Sequence, residues 1–325
     1  MNYSISIVIP NYNGKNLLSE NIPFVYNALE TSHIIDFEII ISDDNSADDS
    51  VSFIKNKYPS IVLIENKQNK GFSGNTNVGI HAASKDLVFI LNSDVQLTNG
   101  YFTPLLALFD KPDTFGVMGK IIGLDSEHIQ DAAKYPAYSF GTIKGTKNYI
   151  SHTQSTSYSF FMSGANSLVS RTKILALGGF SEIYNPYYWE DLDLGIRAWK
   201  LGYKIYYHSE SICRHPNSST IKKEANSKVK VITKRNKFFL HYLHLNGLEL
   251  IFFILKSGIN SLVRLIKGDK YYIKSFYLFI LSIPHLREEK NKFKLLQISM
   301  NCNKTLKDVV KEIKCSITIS DIEKF

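Results

Sequence analysis

Cysteine is scarce in this chain, with three in 325 residues, at positions 213, 302 and 315. An odd number at no metal-like spacing argues against a disulfide scaffold and a zinc ribbon, and fits a reducing compartment. Long hydrophobic runs are missing as well: no stretch reaches the ~18–20 apolar residues that crossing a bilayer requires. There is no G-x-G-x-x-G and no Walker Lys-Ser/Thr pair, and no repeat of solenoid length. The N-terminal MNYSISIVIPNYNG has no basic stretch and reaches Pro10 early, so no signal peptide is expected. What remains is ordinary globular composition, 44% hydrophobic and 21% charged, which excludes a disordered or fibrous chain. The length suggests two domains, or one large domain with an appendage.

Charge is unevenly placed. Residues 1–220 hold 17 Lys and Arg against 21 Asp and Glu, whereas residues 221–325 hold 21 against 9. The first part reads as a soluble acidic domain, and the last hundred residues as a region that meets anions.

The first half alternates strand and helix signals. Ser4–Pro10, Phe37–Ser42, Ile61–Glu65 and Leu87–Leu91 are short apolar runs; Lys15–Leu29, Asp48–Tyr58 and Ser73–Ser84 have helical length. Continuously apolar strands separated by helices predict an α/β fold with a mainly parallel sheet covered on both faces. Every polar motif of this half follows a strand: PNYNG, DDNSADDS, NKQNKGFSGN and NSDV. One crevice at the strand ends is implied. Farther on, Phe115–Ile122, Ser167–Ser170 and Tyr203–His208 read as strands, and Tyr135–Ser159 as irregular or antiparallel structure around an opening. Leu192, Ile196 and Trp199 recur at helical spacing, with Gly202 as the stop.

Each motif has a chemical and a plain reading. Asp43 and Asp44 could accept hydrogen bonds from a base or ribose, or form an Asx turn that starts the next helix. Asn69, Gly71, Gly74, Asn75 and Asn77 could let backbone approach a phosphate, or belong to a loop and helix with tolerated glycines. Asp94 follows the strand LVFIL, where a carboxylate can ligate Mg2+ or Mn2+ or simply turn the chain. Glu190 and Asp191 open a helix, which suits a general base and a helix cap equally. Asp193 is expected to point away from Asp191 as a surface residue; His208 reads as structural, and His215 stays open as a metal ligand.

In order, IVIPNYNG, SDDNSADDS, NKGFSGNTNVG, LNSDV, MSGANSLVSR, GGFSEIYNPYYWEDLDLGIRAWKLGYK and RHPNSST resemble the inverting GT-A glycosyltransferases of sequence family two. The resemblance covers about residues 4–240 and is strongest to the rhamnosyltransferase-like branch. It implies a GT-A catalytic domain over 1–220, with a nucleotide-diphospho-sugar donor in the crevice and a divalent Mg2+ or Mn2+ ion. By motif match, Pro10, Tyr12, Asp43 and Asp44 line the nucleoside pocket, with Asp44 toward the base. Asn69, Gly71, Gly74, Asn75, Asn77 and Ser93 lie beside ribose and sugar. Asp94 is the last Asp of the metal motif and His215 its partner; Asn92 stands where a first Asp is common, so weak metal affinity is implied. Asp191 matches the catalytic base, with Glu190 able to exchange roles or orient the acceptor.

The basic region 221–325 is expected to be mostly helical. On a helical wheel Leu248–Ile266 places Ile251, Leu255, Ile259, Leu262 and Ile266 on one face and Lys256, Asn260, Arg264 and Lys267 on the other. With the apolar Phe276–Ile283, this predicts an in-plane membrane contact through 245–285, against packing on the core or a dimer interface. Nucleic acid is not expected, since no binding motif accompanies the charge. The combined reading is sugar transfer, rhamnose among the candidates, from a nucleotide diphosphate to a surface glycan or polyprenyl-linked saccharide, at the cytoplasmic face of the plasma membrane. A sugar nucleotidyltransferase and a non-catalytic sugar-nucleotide- or membrane-binding relative are the alternatives.

Overall fold

The computed structural model describes residues 3–139, 141–144, 146–216 and 226–325. Four parallel strands come first: β1 (Ile5–Asn11), β2 (Phe37–Asp43), β3 (Val62–Glu65) and β4 (Leu87–Leu91). The helices α1 (Lys15–Thr31), α2 (Ser50–Lys57) and α3 (Gly71–Ala82) connect them. All five residues of β4 and six of seven in β1 are buried, as strands covered on both faces must be. Gly79 lets α3 lie close, since a Cβ there would sit 2.4 Å from Val8.

The middle of the chain adds β5 (Gln96–Leu97), α4 (Thr103–Leu106), β6 (Thr114–Gly123), β7 (Ile129–Asp131) and β8 (Ala133–Tyr135). The short strands β9 (Tyr138–Ser139), β10 (Thr142–Ile143), β11 (Lys147–Ser151) and β12 (Thr156–Tyr158) follow, as the Tyr- and Ser-rich composition suggested. Then come β13 (Asn166–Ser170), α5 (Arg171–Ala176), α6 (Glu190–Lys200) and β14 (Lys204–His215). The main sheet runs β12-β14-β6-β13-β4-β1-β2-β3, with β5 and β7 paired at its side. β13 is antiparallel to both β4 and β6, while β14 is parallel to β6.

β14 extends seven residues beyond the predicted end at His208. The polar Ser209-Glu210-Ser211 breaks the apolar pattern, but a register shift between His208 and Ile212 absorbs it and pairing with β6 resumes. The strand thereby delivers His215 opposite Gly123.

The C-terminal region is helical: α7 (Asn226–His244), α8 (Gly247–Ile266), α9 (Lys270–Ser299) and α10 (Leu306–Cys315), the last opened by a Thr305–Asp308 capping box. A closing strand, β15 (Ile322–Lys324), pairs with β11. One side of the sheet packs on α1 and α2 through Leu18, Ile22, Val25 and Ile54. On the other side a single cluster joins Val8, Leu192 and Trp199 to Phe238, Phe279, Leu306 and Ile313. No helix among the described residues is long and apolar enough to cross a membrane.

α8 departs from the usual amphipathic arrangement. Its buried stripe is Phe253, Ser257 and Ser261, while Leu255, Leu262 and Ile266 are 62%, 65% and 87% exposed. The apolar ridge read from the helical wheel faces outward.

Candidate functional site

The strand ends gather the residues singled out in the sequence. Asn11, at the end of β1, donates Nδ2 to Asp43 Oδ2 at 2.8 Å. Asp43 also accepts Ser46 N–H and Oγ–H at 2.9 and 2.6 Å, the Asx-turn geometry that carries the chain into the next helix. Asp44 takes Lys70 N–H at 2.8 Å and Gly71 N–H at 3.0 Å, with Asn66 Nδ2 at 3.2 Å. It thus ties β2 to the start of α3, where Gly71 has φ +71° and its Cα faces Asn185 and Pro186. Both carboxylates are 2% exposed and hold the crevice floor together. Tyr12 projects at the mouth, 58% exposed, beside half-buried Pro10.

The asparagines of α3 divide. Asn69 is exposed and accepts Gly71 N–H through its side chain at 3.1 Å. Asn75 bridges Asn66 and the Asn11 carbonyl at 2.8 and 3.3 Å. Asn77 turns the other way: it exchanges two hydrogen bonds with the Phe180 backbone, at 2.8 and 2.9 Å. Asn77 therefore clamps α3 to the 178–182 turn. Gly74 sits beside Lys70 and Glu182. Half-buried Ser93 offers its carbonyl to Asn21 Nδ2 at 2.8 Å.

Asp94 Oδ2 lies 3.3 Å from His215 Nε2, and Asp94 Oδ1 is buried with no partner. Gln130 decides what occupies that gap. Its Nε2 donates to the His215 carbonyl at 3.0 Å, which turns Oε1 toward His215 Nδ1 at 2.9 Å. An amide oxygen can only accept, so Nδ1 carries the hydrogen, and a ring with that single hydrogen turns an Nε2 lone pair toward the carboxylate. In that tautomer two acceptors face each other, and a cation between them would satisfy both. Mg2+ and Mn2+ prefer oxygen donors, which Asp94 supplies and phosphate and water complete, and the imidazole favours Mn2+ over the harder Mg2+. No group of three or more His, Cys, Asp or Glu that could hold a metal occurs among the described residues, so such an ion would lean on its ligand. Gln130 is a residue that the sequence did not flag; a lone glutamine carries no signal until β7, paired with β6, brings its side chain to the end of β14.

Glu190 and Asp191 open α6. Glu190 is 7% exposed, and its Oε2 is buried without a partner. Burial pushes its carboxyl well above the ordinary range, and the charge of Asp191 pushes it further. Asp191 is half-buried and raised for the same first reason; the bonded Leu192 N–H and the Lys134 ammonium oppose the shift, and Asp131 adds to it. Lys134 is paired with Asp131 and bonds Asn148 Oδ1 at 2.9 Å. The segment from Gln130 to Lys134 therefore bonds His215 through Gln130, while the charge of Lys134 acts on Asp191.

Asp193 is not a surface residue. It is 1% exposed, because the helix turns it inward against Arg197 Nε at 2.7 Å, His244 Nε2 at 2.8 Å and Tyr184 Oη at 3.2 Å. Burial alone would raise its carboxyl, but Arg197 and the His244 hydrogen bond outweigh it and hold it down to about 2. Behind it a cavity of about 500 Å3, lined by Glu182, Arg197, His244 and Lys290, separates α6 from α9. His208 is buried in the strand, as expected. The end of the last motif, residues 217–220, lies outside the described residues.

Relatives share this arrangement of sequence and fold. The chain is 32% identical over 110 residues to the GalNAc(5)-diNAcBac-PP-undecaprenol beta-1,3-glucosyltransferase of Campylobacter jejuni, 31% of this chain and 33% of that protein. It is 25% identical over 224 residues to the O-antigen chain rhamnosyltransferase WbaN of Salmonella anatum, covering 68% of this chain and 69% of that one. The chain thus spans only about a third of the length of the Campylobacter relative. The crystal structure of GalNAc-T7 with UDP, GalNAc and Mn2+ superposes with a TM-score of 0.68 at 16% identity, over 98% of this chain and 58% of that one. The fold is therefore GT-A, with a helical C-terminal region added. The sequence profile of "Glycosyl transferase family 2" matches residues 6–171, half of the chain, and the protein belongs to that family.

Proposed function

We propose that the chain moves a sugar from a nucleotide-diphosphate donor to a hydroxyl of a glycan or lipid-linked saccharide. Rhamnose is one candidate sugar, by likeness to the O-antigen rhamnosyltransferase. The observation that carries this reading is the pairing of two unspent groups across one strand-end site: the Asp94–His215 acceptor pair, and a half-buried Asp191 beside Glu190.

Asp191 takes the proton from the acceptor hydroxyl as that oxygen attacks the anomeric carbon. The bond to the nucleoside diphosphate breaks on the opposite face, its electron pair leaves with the diphosphate, and the anomeric centre inverts. Asp94 and His215 would hold Mg2+ or Mn2+, which when bound offsets the charge that gathers on the leaving diphosphate. Asn11, Asp43 and Asp44 keep the nucleoside side of the crevice rigid, and Tyr12 offers an aromatic face at its mouth. Burial and the charge of Asp191 favour the protonated form of Glu190, which in that form can donate a hydrogen bond to the acceptor.

The alternatives fare worse. A nucleotidyltransferase needs a free cation near the first strand, yet Lys15 is engaged with Asp49 at 3.0 Å. A non-catalytic relative has no use for an unpartnered buried Glu190 oxygen, which costs stability.

The outward apolar ridge of α8, with Lys256, Arg264, Lys267, Lys270 and Lys274 exposed around it, supports contact with an anionic lipid surface. A helix meant only to pack on the core would bury that ridge. Such contact suits a polyprenyl-linked acceptor at the inner face of the plasma membrane.

The first test is calorimetric binding of UDP, dTDP, GDP and CDP, each with and without Mn2+. Tight binding of one nucleotide, strengthened by Mn2+ and lost in Asp94→Ala, is expected. No binding to any of them by folded protein would sink the donor assignment.

A further inference from the structure

Two consecutive aromatic residues just before the acidic pair lie in the left-handed region: Tyr188 has φ 75° and Trp189 has φ 81°. A Cβ clashes with the neighbouring carbonyl there, so such residues persist only where the surroundings impose the conformation. The loop has no glycine from 180 to 190 to relieve it.

The restraint comes from α7. Asn236, 0% exposed, donates its amide hydrogens to three loop carbonyls: Tyr184 at 2.6 Å, Tyr187 at 2.9 Å and Tyr188 at 3.0 Å. Its Oδ1 accepts from Arg235 Nε and Nη2 at 2.9 and 2.7 Å. Arg235 Nη2 also donates to the Asn185 carbonyl at 2.7 Å, and Trp189 Nε1 donates to the Thr233 carbonyl at 3.1 Å. Apart from the Arg235–Asn236 bonds, which fix the orientation of the amide within α7, these bonds join the stretch 184–189 to a single turn of α7.

We propose that Asn236 is a positioning residue for the Glu190–Asp191 pair, holding the left-handed Tyr188–Trp189 step that aims the first turn of α6 into the crevice. This rests on the reading of Asp191 as base. Removing the amide strips three carbonyls at once. The loop then relaxes toward right-handed backbone, and misplacement of about 1 Å at a reacting group lowers turnover by about 10²-fold. The signature differs from that of general loosening, because α7 also meets α9 at Ser275, whose hydroxyl hydrogen is shared between the Tyr271 carbonyl of its own helix at 2.6 Å and the Val231 carbonyl of α7 at 2.9 Å, neither of which touches the loop.

The test compares Asn236→Ala, Ser275→Ala and Asp191→Asn in the full chain. Turnover is read as nucleoside diphosphate released from UDP-glucose, UDP-N-acetylglucosamine, dTDP-rhamnose or GDP-mannose, whichever is consumed. The acceptor is undecaprenyl-diphosphate N-acetylglucosamine in vesicles. Asn236→Ala is expected to lower kcat tenfold to a hundredfold, with nucleotide affinity within twofold. The acid limb of its pH profile should move down as water reaches the pair, and amide exchange should quicken over 184–192. Ser275→Ala, at a similar loss of Tm, keeps kcat and that exchange within twofold. Equal kcat losses in the two variants, or unchanged exchange at 184–192 in Asn236→Ala, overturn the proposal. If Asn236→Ala does not fold, Asn236→Asp keeps the size and the oxygen that faces Arg235 but removes the amide donors, and an unchanged kcat there overturns it. Full turnover by Asp191→Asn defeats the base reading and the positioning role with it; an inert Asp191→Asn beside a fully active Asn236→Ala defeats the positioning role alone.

Discussion

At the scale of single residues, the site is a matter of which polar atoms are left without partners. Gln130 fixes the His215 tautomer by using both ends of its amide, so Gln130→Ala should weaken the Mn2+ dependence of nucleotide binding. Loss of such an outer partner typically costs about 10–100-fold in metal affinity, and a Mn2+ titration of the nucleotide complex reads it directly. The acidic pair makes a second expectation. The proposed transfer needs ionised Asp191, and burial lets it keep its proton above the ordinary carboxylate range near ~4. Activity should therefore rise with pH through that raised value, and an acid limb at or below ~4 would contradict it. Glu190 gives the matching stability test. Above ~4.3 the unfolded carboxyl ionises while the buried one stays protonated, so the group costs stability increasingly as pH rises toward its folded value. Glu190→Gln should raise Tm by about 2–4 °C at pH 8, and by less at pH 5.

At the scale of elements, most strands and helices of the parallel half announce themselves. β4 is an uninterrupted apolar run, β1 and β2 are mostly apolar with Ser6 and Glu38 inside them, and each polar motif that follows one lands at the same end of the parallel strands. What local pattern could not show is pairing across distance. The bulge at Ser209–Ser211 hides the second half of β14, and with it the route by which His215 reaches Asp94. Asp193 misled for a similar reason: an i+2 offset predicts the opposite helix face, but α6 is buried on nearly all sides, and Arg197 and His244 claim the carboxylate. Asp43 and Asp44 carried both meanings at once, and their hydrogen bonds show the structural one. α8 offers the cleanest element-level experiment. Leu255→Glu with Leu262→Glu changes two exposed positions, so the fold should persist while partition onto phosphatidylglycerol vesicles drops at least tenfold. Retained partition would detach this ridge from lipid; a loss of self-association in sedimentation instead would assign it to a second copy.

At the scale of the whole molecule, the helical region and the sheet share one apolar cluster, in which Trp199 from α6 and Phe279 from α9 are both fully buried. Phe279→Ala should lower the unfolding free energy by about 3–5 kcal/mol, in a single calorimetric transition; a separate early transition confined to the helices would show that the two parts unfold independently. The same connectivity governs the order in which a nascent chain becomes competent. The proposed donor-side groups lie between residues 10 and 94 and again at 130 and 215, the acidic pair at 190 and 191, and the amide that braces their loop at 236. A ribosome therefore makes His215 and Asn236 only after the acidic pair, and the parts that meet in the site are the first and the late segments of one sheet. Until α7 has emerged and docked, the growing polypeptide lacks the amide that holds the 184–189 loop, so the proposed transfer is expected only of a chain made past that helix.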